Sequence, residues 1–342
     1  MLDLIVFIGR FQPFHNGHRE VLSEALRKAK EVLILVGSSG QARSYKNPWT
    51  FEERKGFIEE TLTKSASKKV KILPLRDYPL DDTKWAVEVR SAVSYCGYGD
   101  KGNVGIIGHE KDSSSYYLRM FPDWKQIFLP NMGDISATDI RRDFFINRYI
   151  SYMLPVEIRE CIVDFFAHKD FPMLEKEFFE IENYKGLWKD SPFPPTFITT
   201  DAVVFKGKDV LLIKRKDSPG KGLLALPGGF LNQDETLLQC ALRELREETG
   251  LTLSQGDVLF SRVIDNPSRS ERGRTVTHVY CMEVDEDRQG DLCAGDDASE
   301  AYWWNILELR EEDFYQDHYH IIMEMFKKIA IKIAYQQSKG LL

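Results

Sequence analysis

Through the first half of the 342-residue chain, short apolar runs alternate with longer stretches of helical periodicity. Residues 4–8 read as a buried strand that Gly9 ends. Beyond His18, Val21, Ala25, Leu26 and Ala29 recur at the spacing of one helix face. Residues 32–36 form a second strand-length run, closed by Gly37-Ser38-Ser39-Gly40. Thr50 and Glu53 make a capping box just after Pro48, so a helix should start near Phe51. Further strands are expected at 70–75, 104–107 and 126–129, with helices around 84–95, 113–120 and 137–147. This alternation predicts βαβ units on a parallel sheet, with ligands at the carboxyl ends of the strands.

The second half has a different rhythm. Residues 155–180 are helical in pattern, and Pro192-Phe193-Pro194-Pro195 then breaks any element. Runs at 202–205 and 210–213 flank Lys206-Gly207-Lys208-Asp209, a hairpin signal. One long helix is expected at 234–249, strands at 258–264 and 275–284, and a final helix near 317–336. The pattern is α+β with a mixed sheet. The expected division is a first domain at 1–180, a linker at 181–198 and a second domain at 199–342.

Composition narrows the field. The net charge of −7, without a basic run, argues against a nucleic-acid partner. No apolar run approaches the roughly 20 residues of a membrane helix, and Asp3 stands where a signal peptide carries a base. The five cysteines (Cys96, Cys161, Cys240, Cys281 and Cys293) form no C-x-x-C pair, which fits a reducing, cytoplasmic location. Composition leaves a homo-oligomeric assembly open.

Two constellations carry chemistry. Gly9-Arg10-Phe11-Gln12-Pro13-Phe14-His15-Asn16-Gly17-His18 joins the first strand to the first helix. Helix N-termini bind anions through free N–H groups, and Gly9 and Gly17 allow close approach. His15 and His18, three apart, can face one phosphate group together. Downstream, Ser136 and Thr138 open another helix, where they can cap it or hold a phosphate, and Arg141 can clamp a triphosphate.

The second constellation runs from Gly228-Gly229 through Arg243-Glu244-Leu245-Arg246-Glu247-Glu248-Thr249-Gly250. Leu238, Ala241, Leu242 and Leu245 share one helix face, and Glu244, Glu247 and Glu248 share another. Like charges this close repel unless a hard cation such as Mg²⁺ or Mn²⁺ sits among them. Gly228-Gly229 lets the chain pass close to a substrate, and Gly250 suits a helix C-terminus.

His15-Asn16-Gly17-His18 resembles the H-x-G-H signature of the nucleotidylyltransferase superfamily. Residues 135–141 resemble its I-S-x-T-x-x-R signature. The stretches 9–15, 47–54 and 108–112 are similar to archaeal-type nicotinamide mononucleotide (NMN) adenylyltransferases. The likeness implies a Rossmann-like nucleotidylyltransferase fold that joins ATP to NMN, giving NAD and pyrophosphate. It implies ATP contacts at Gly9, Arg10, Phe11, His15, His18, Gly108, Lys111, Asp112, Ser136, Thr138 and Arg141. His15, His18 and Arg141 would act on the reacting phosphates, with Mg²⁺ carried by ATP. NMN contacts are implied at Asn47, Asp82 and Trp85. The family often has Asn where this chain has Asp82. Trp85 is equally readable as packing one helix onto the sheet.

Residues 229–251 match the Nudix box, G-x5-E-x7-R-E-U-x-E-E-x-G-U, at every fixed position (U is a bulky aliphatic). Pro267, sixteen residues beyond Leu251, resembles the ADP-ribose pyrophosphatase subgroup, and residues 266–269, 272–277, 294–298 and Trp303 extend that likeness. It implies hydrolysis of ADP-ribose to AMP and ribose 5-phosphate. Glu244, Glu247 and Glu248 would be the metal ligands, and Gly228, Gly229, Pro267 and Arg274 the substrate contacts. Glu247, Glu248 and Glu300 stay open as general base. Together the halves resemble bacterial bifunctional adenylyltransferase–Nudix proteins. FMN, pantetheine phosphate, a sugar phosphate or nicotinic acid mononucleotide remain alternative acceptors. A different nucleoside diphosphate derivative remains an alternative Nudix substrate, and an ADP-ribose-sensing regulator an alternative role. His168, His318 and His320 read as surface residues. Tyr184, Lys185 and Trp188 could line a substrate site or simply pack.

Overall fold

The computed structural model describes residues 1–99, 102–109, 113–129, 135–285, 292, 295 and 298–338. The chain forms two compact units, Met1–Glu175 and Lys176–Leu342. In the first unit the elements are β1 (Leu2–Gly9), α1 (Asn16–Lys28), β2 (Ala29–Val36), α2 (Phe51–Glu60), a one-turn α3 (Lys64–Ser67), β3 (Val70–Pro74), α4 (Asp82–Tyr95), β4 (Val104–His109), β5 (Lys125–Leu129), α5 (Ala137–Asn147) and α6 (Arg159–Asp164). The expected helix at 113–120 is a 3-10 turn, Ser113–Arg119. Ala29 opens β2 instead of closing α1.

The five strands pair in parallel in the order β3-β2-β1-β4-β5. The order reverses between β1 and β4, so their carboxyl ends flank the crevice where such sheets bind ligands. β1 and β2 are buried along most of their length, as near-continuous Leu/Ile/Val runs require between helical layers. A second core gathers Trp49, Phe144, Phe165 and Phe171, with ring centroids 5.5–6.3 Å apart. It ties the region after α5 to the Trp49 segment.

A helix α7 (Phe171–Gly186) runs past residue 180, and the next strand begins at Thr196. The second unit contains β6 (Thr196–Lys206), β7 (Asp209–Arg215), β8 (Leu224–Ala225), β9 (Gly228–Phe230), α8 (Leu237–Thr249), β10 (Val258–Ile264), β11 (Arg274–Glu283), β12 (Ala298–Asn305) and α9 (His318–Ser338). Its mixed sheet runs β10-β11-β6-β7-β12, with β8 beside β7 and β9 beside β6. Only the β6–β11 pair is parallel among the described strands of this sheet. α8 packs the predicted apolar face inward: Ala241 and Leu245 are buried, and Leu238 and Leu242 lie against the same cluster. Thr236 caps it with Gln239 in a capping box, and Gly250 (φ 74°) ends it in the left-handed region. No helix among the described residues is long and apolar enough to cross a membrane.

His318 corrects the expectation of a surface residue. It is buried, and its Nδ1 accepts the Leu226 N–H at 2.9 Å. Its neighbours Asp317 and Arg269 form an ion pair with both side chains at least nine-tenths buried. No local pattern marks this burial, because the partners are some 50 and 90 positions away.

Candidate functional sites

In the first unit, β1 delivers Gly9 to the crevice. A Cβ on Gly9 would lie 2.8 Å from the Phe11 ring, so only glycine lets that ring tuck beneath the turn. Phe11 itself has φ 51° and is buried against Phe7, Phe14 and His18. Its place is packing under the loop, while Arg10 is exposed. His15 and His18 stack with ring centroids 3.6 Å apart. His18 Nδ1 accepts the His15 N–H at 3.2 Å. The two imidazoles thus meet as one pair at the start of α1, the proximity their spacing predicted.

Ser136 caps α5, accepting the Asp139 N–H at 3.3 Å. Arg141 is buried; it donates to the Gln12 carbonyl at 2.5 Å and to Thr138 Oγ1 at 3.3 Å. Its guanidinium is therefore anchored to the His15 loop. Gly108 packs where a Cβ would meet Leu118 at 3.1 Å, and His109 Nδ1 lies 3.2 Å from the Leu129 carbonyl. Lys111 and Asp112 lie outside the described residues.

The implied NMN residues are individually placed. Asn47 donates to Gln41 at 3.3 Å, and Gln41 donates to Asp77 at 3.1 Å. Asp82 accepts from the Tyr116 hydroxyl at 3.0 Å. Trp85 packs against Tyr117 and Phe121 on the sheet core.

Sequence reasoning missed three organisers of this site. Gln12 exchanges two hydrogen bonds with the Trp49 backbone, at 2.7 and 3.1 Å. Arg54, only 1% exposed, donates to the carbonyls of Arg10, Gly37 and Ser38. Asp77 accepts from the Ser38 N–H and hydroxyl. The capping box of α2 had marked the helix carrying Arg54, but nothing local showed where its side chain would reach.

In the second unit, α8 faces β9. A Cβ at Gly229 would lie 2.4 Å from the Glu244 carboxylate, and one at Gly228 would lie 2.2 Å from the Thr200 carbonyl. Both glycines are needed for this approach. Glu248, buried, accepts the Gly228 N–H at 2.8 Å. Arg243 Nη1 donates to Glu244 at 2.7 Å and Glu247 at 2.9 Å, so the two carboxylates share one positive partner. Burial pushes the Glu244 carboxyl above its ordinary range, opposed by Arg243.

The three glutamates supply the hard oxygen donors a divalent cation requires. Among the described residues no group of three or more His, Cys, Asp or Glu is gathered tightly enough to hold a metal ion. Instead Glu244 and Glu247 converge on a guanidinium nitrogen, where a cation's attraction would also be felt. Pro267 is exposed, and Arg274 Nη1 donates to the Asp265 carbonyl. Glu300, half-buried on β12, accepts from the Tyr302 hydroxyl of the same strand. Ala294, Asp296 and Asp297 lie outside the described residues.

Fold and sites define a nucleotide-handling protein of two units, one with a Rossmann-like sheet and one with a Nudix helix. The Cytidylyltransferase-like family profile matches residues 6–143, and the NUDIX domain profile residues 195–325. A nicotinamide/nicotinic acid mononucleotide adenylyltransferase of Acinetobacter baylyi is 32% identical over 52% of this chain and 93% of its own length. An ADP-ribose pyrophosphatase of Methanocaldococcus jannaschii is 38% identical over 38% of this chain and 73% of its own length. A crystal structure of a bifunctional NMN adenylyltransferase/ADP ribose pyrophosphatase from Francisella tularensis is 37% identical, covers 96% of this chain and 99% of its own, and superposes with a TM-score of 0.89. The same Francisella protein has also been solved complexed with AMP and a manganese ion. The chain belongs to the family of bifunctional NMN adenylyltransferase/ADP-ribose pyrophosphatases.

Proposed function

We propose that the first unit makes NAD from NMN and ATP and that the second hydrolyses ADP-ribose to AMP and ribose 5-phosphate. The observation that carries this reading is the full-length likeness to one bifunctional protein, joined to the two separate constellations described above.

In the synthetic reaction an NMN phosphate oxygen attacks the α-phosphorus of ATP, and pyrophosphate leaves. Positioning and charge stabilisation suffice, without a covalent intermediate. The stacked His15 and His18 donate to the reacting phosphates at the end of β1. Arg141 fixes the His15 loop through Gln12 and offers its remaining N–H groups to phosphate. Gly9, Arg10, Gly108, Lys111, Asp112, Ser136 and Thr138 complete the ATP site, with Phe11 supporting it from beneath. Asn47, Asp82 and Trp85 serve NMN.

In the hydrolytic reaction, water attacks one phosphorus of the diphosphate, and the bond to the bridging oxygen breaks. Glu244, Glu247 and Glu248 would hold Mg²⁺ or Mn²⁺, which neutralises the diphosphate and activates water. Gly228 and Gly229 bring the β9 backbone against these carboxylates, and Pro267 and Arg274 flank the substrate. Mg²⁺ also accompanies ATP in the first unit.

Chromatographic product analysis tests both halves. ATP plus NMN should yield NAD, and ADP-ribose should yield AMP. Absence of NAD would redirect the first unit to another acceptor, and ADP-ribose bound without AMP formation would make the second unit a sensor.

A further inference from the structure

The chain running from β8 into β9 is anchored at four points. The Leu224 carbonyl accepts the Tyr315 N–H at 2.9 Å, and the Pro227 carbonyl accepts the Ala202 N–H at 2.9 Å. The Gly228 N–H goes to Glu248 at 2.8 Å. The fourth anchor is His318, which opens α9 and whose Nδ1 accepts the Leu226 N–H at 2.9 Å. Leu226 is buried, and a buried N–H requires an acceptor. Main-chain partners serve Leu224 and Pro227, whereas at Leu226 the acceptor is a side chain. Because an N–H points at Nδ1, that nitrogen carries no proton, and the neutral ring holds its proton on Nε2.

The anchor works from the face of the sheet opposite α8. Thr200 turns its hydroxyl to Cys240 of α8 at 3.1 Å, so its neighbour Asp201 on β6 turns away from that helix. A Cβ on Gly228 would meet Asp201 Oδ1 at 2.7 Å, while one on Gly229 would meet Glu244. On the Asp201 side, burial pushes that carboxyl above its ordinary range, opposed by Arg269 and the Thr277 hydroxyl. Arg269 in turn pairs with Asp317, the residue before His318, at 3.0 Å. A buried polar cluster thus backs the glycine pair from behind and holds the start of α9 in place.

We propose that His318 is a positioning residue of the hydrolytic site, holding Leu226-Pro227-Gly228 where the Gly228 N–H meets Glu248. The inference rests on the hydrolytic reading above. Pro227 fixes its own φ near about −65°, so the link from Leu226 to Gly228 is short and stiff. A shift at Leu226 therefore passes to Gly228, which orients Glu248, and to Gly229, which lies against Glu244. His318 acts through this backbone and not on the substrate.

In His318→Leu, kcat for AMP release should fall roughly tenfold with KM within about twofold, since a misplacement of about 1 Å costs up to about a hundredfold. NAD synthesis by the same chain should stay unchanged. His318→Asn sets an amide oxygen where Nδ1 stands and should keep kcat within about threefold of wild type; His318→Gln, whose amide lies one carbon further out, should not. Hydrogen exchange of the whole chain should quicken over residues 224–230 in His318→Leu and His318→Gln, and hold its wild-type rate in His318→Asn. An unchanged kcat in His318→Leu, or equal loss in His318→Asn and His318→Gln, overturns the proposal. If His318→Leu does not fold, the comparison of Asn with Gln decides. If the wild-type protein does not cleave ADP-ribose, the hydrolytic reading fails separately, and exchange decides whether His318 holds the segment. Faster exchange at 224–230 with β11 unchanged supports it; unchanged or uniformly faster exchange overturns it.

Discussion

The guanidinium of Arg243 grips Glu235 with both arms of its fork, Nε to one carboxylate oxygen at 2.9 Å and Nη2 to the other at 2.8 Å. Its remaining arm holds Glu244 and Glu247. One side chain therefore fixes the loop before α8 and orients two of the carboxylates on it. Hydrogen bonds from Arg243 hold the Glu235 carboxyl down at about 2, so the pair stays ionised through mild acid. Arg243→Lys keeps the charge but loses the planar fork. It should lower AMP release from ADP-ribose on the order of tenfold or more while NAD synthesis stays unchanged, in line with the cost of misplacing catalytic groups.

Separate sites predict separable losses. His18→Ala should reduce NAD synthesis on the order of a hundredfold, the scale of one lost charge-stabilising donor, and leave ADP-ribose hydrolysis intact. Glu248→Gln keeps an oxygen that can accept the Gly228 N–H, so β9 and α8 should stay joined. Its hydrolysis should fall on the order of a hundredfold or more while synthesis persists. Assaying both products from each variant checks this; loss of both activities in either one would contradict two independent sites.

Chelation should reveal the metal requirement of the hydrolytic reaction. EDTA in excess should abolish AMP release, and Mg²⁺ or Mn²⁺ should restore it, on the proposal that Glu244, Glu247 and Glu248 hold the cation beside Arg243. Restoration by neither ion would remove the three glutamates as a metal site.

Burial holds the His318 imidazole down at about 3, against an unfolded value of about 6.5. The unfolded chain therefore binds a proton that the folded unit refuses. The stability this group contributes is complete above pH ~6.5 and is lost as pH falls from there towards about 3. Urea unfolding of the second unit's transition between pH 7.5 and 4.5 should show this decline. His318→Gln should be less stable at pH 7.5 and show a flatter dependence.

Arg54 donates to three backbone carbonyls from three different residues of the loops after β1 and β2. Arg54→Met fills similar volume and strands those acceptors. It should destabilise the first unit by about 3 kcal/mol, read by thermal unfolding, since a buried group left unpaired costs on the order of 1–3 kcal/mol. It should also raise the KM for both synthetic substrates, because the same loops form the crevice.

Periodicity was enough to place the strands of the parallel sheet, α8 and the β6–β7 hairpin, because each obeys a local rule: a buried apolar run, a 3.6-residue face, a Gly-Lys turn. The capping box at Thr50 located the start of α2 to the residue. The spacing of Glu244, Glu247 and Glu248 was enough to put them on one helix, and that of His15 and His18 to bring them together at the start of another. Such information survives in the sequence because it concerns neighbours three and four apart.

What only the tertiary structure decided is long-range. Arg141 turns to Gln12 across 129 positions, Arg54 reaches back 44 to Arg10, and Leu226 reaches forward 92 to His318. Phe230 meets Phe197 of β6, 33 positions before it, and Arg272 of the loop before β11, 42 positions after it. No local pattern encodes these meetings, because a buried donor is satisfied by whichever acceptor the folded backbone carries past it, and that is fixed by sheet order and layer packing.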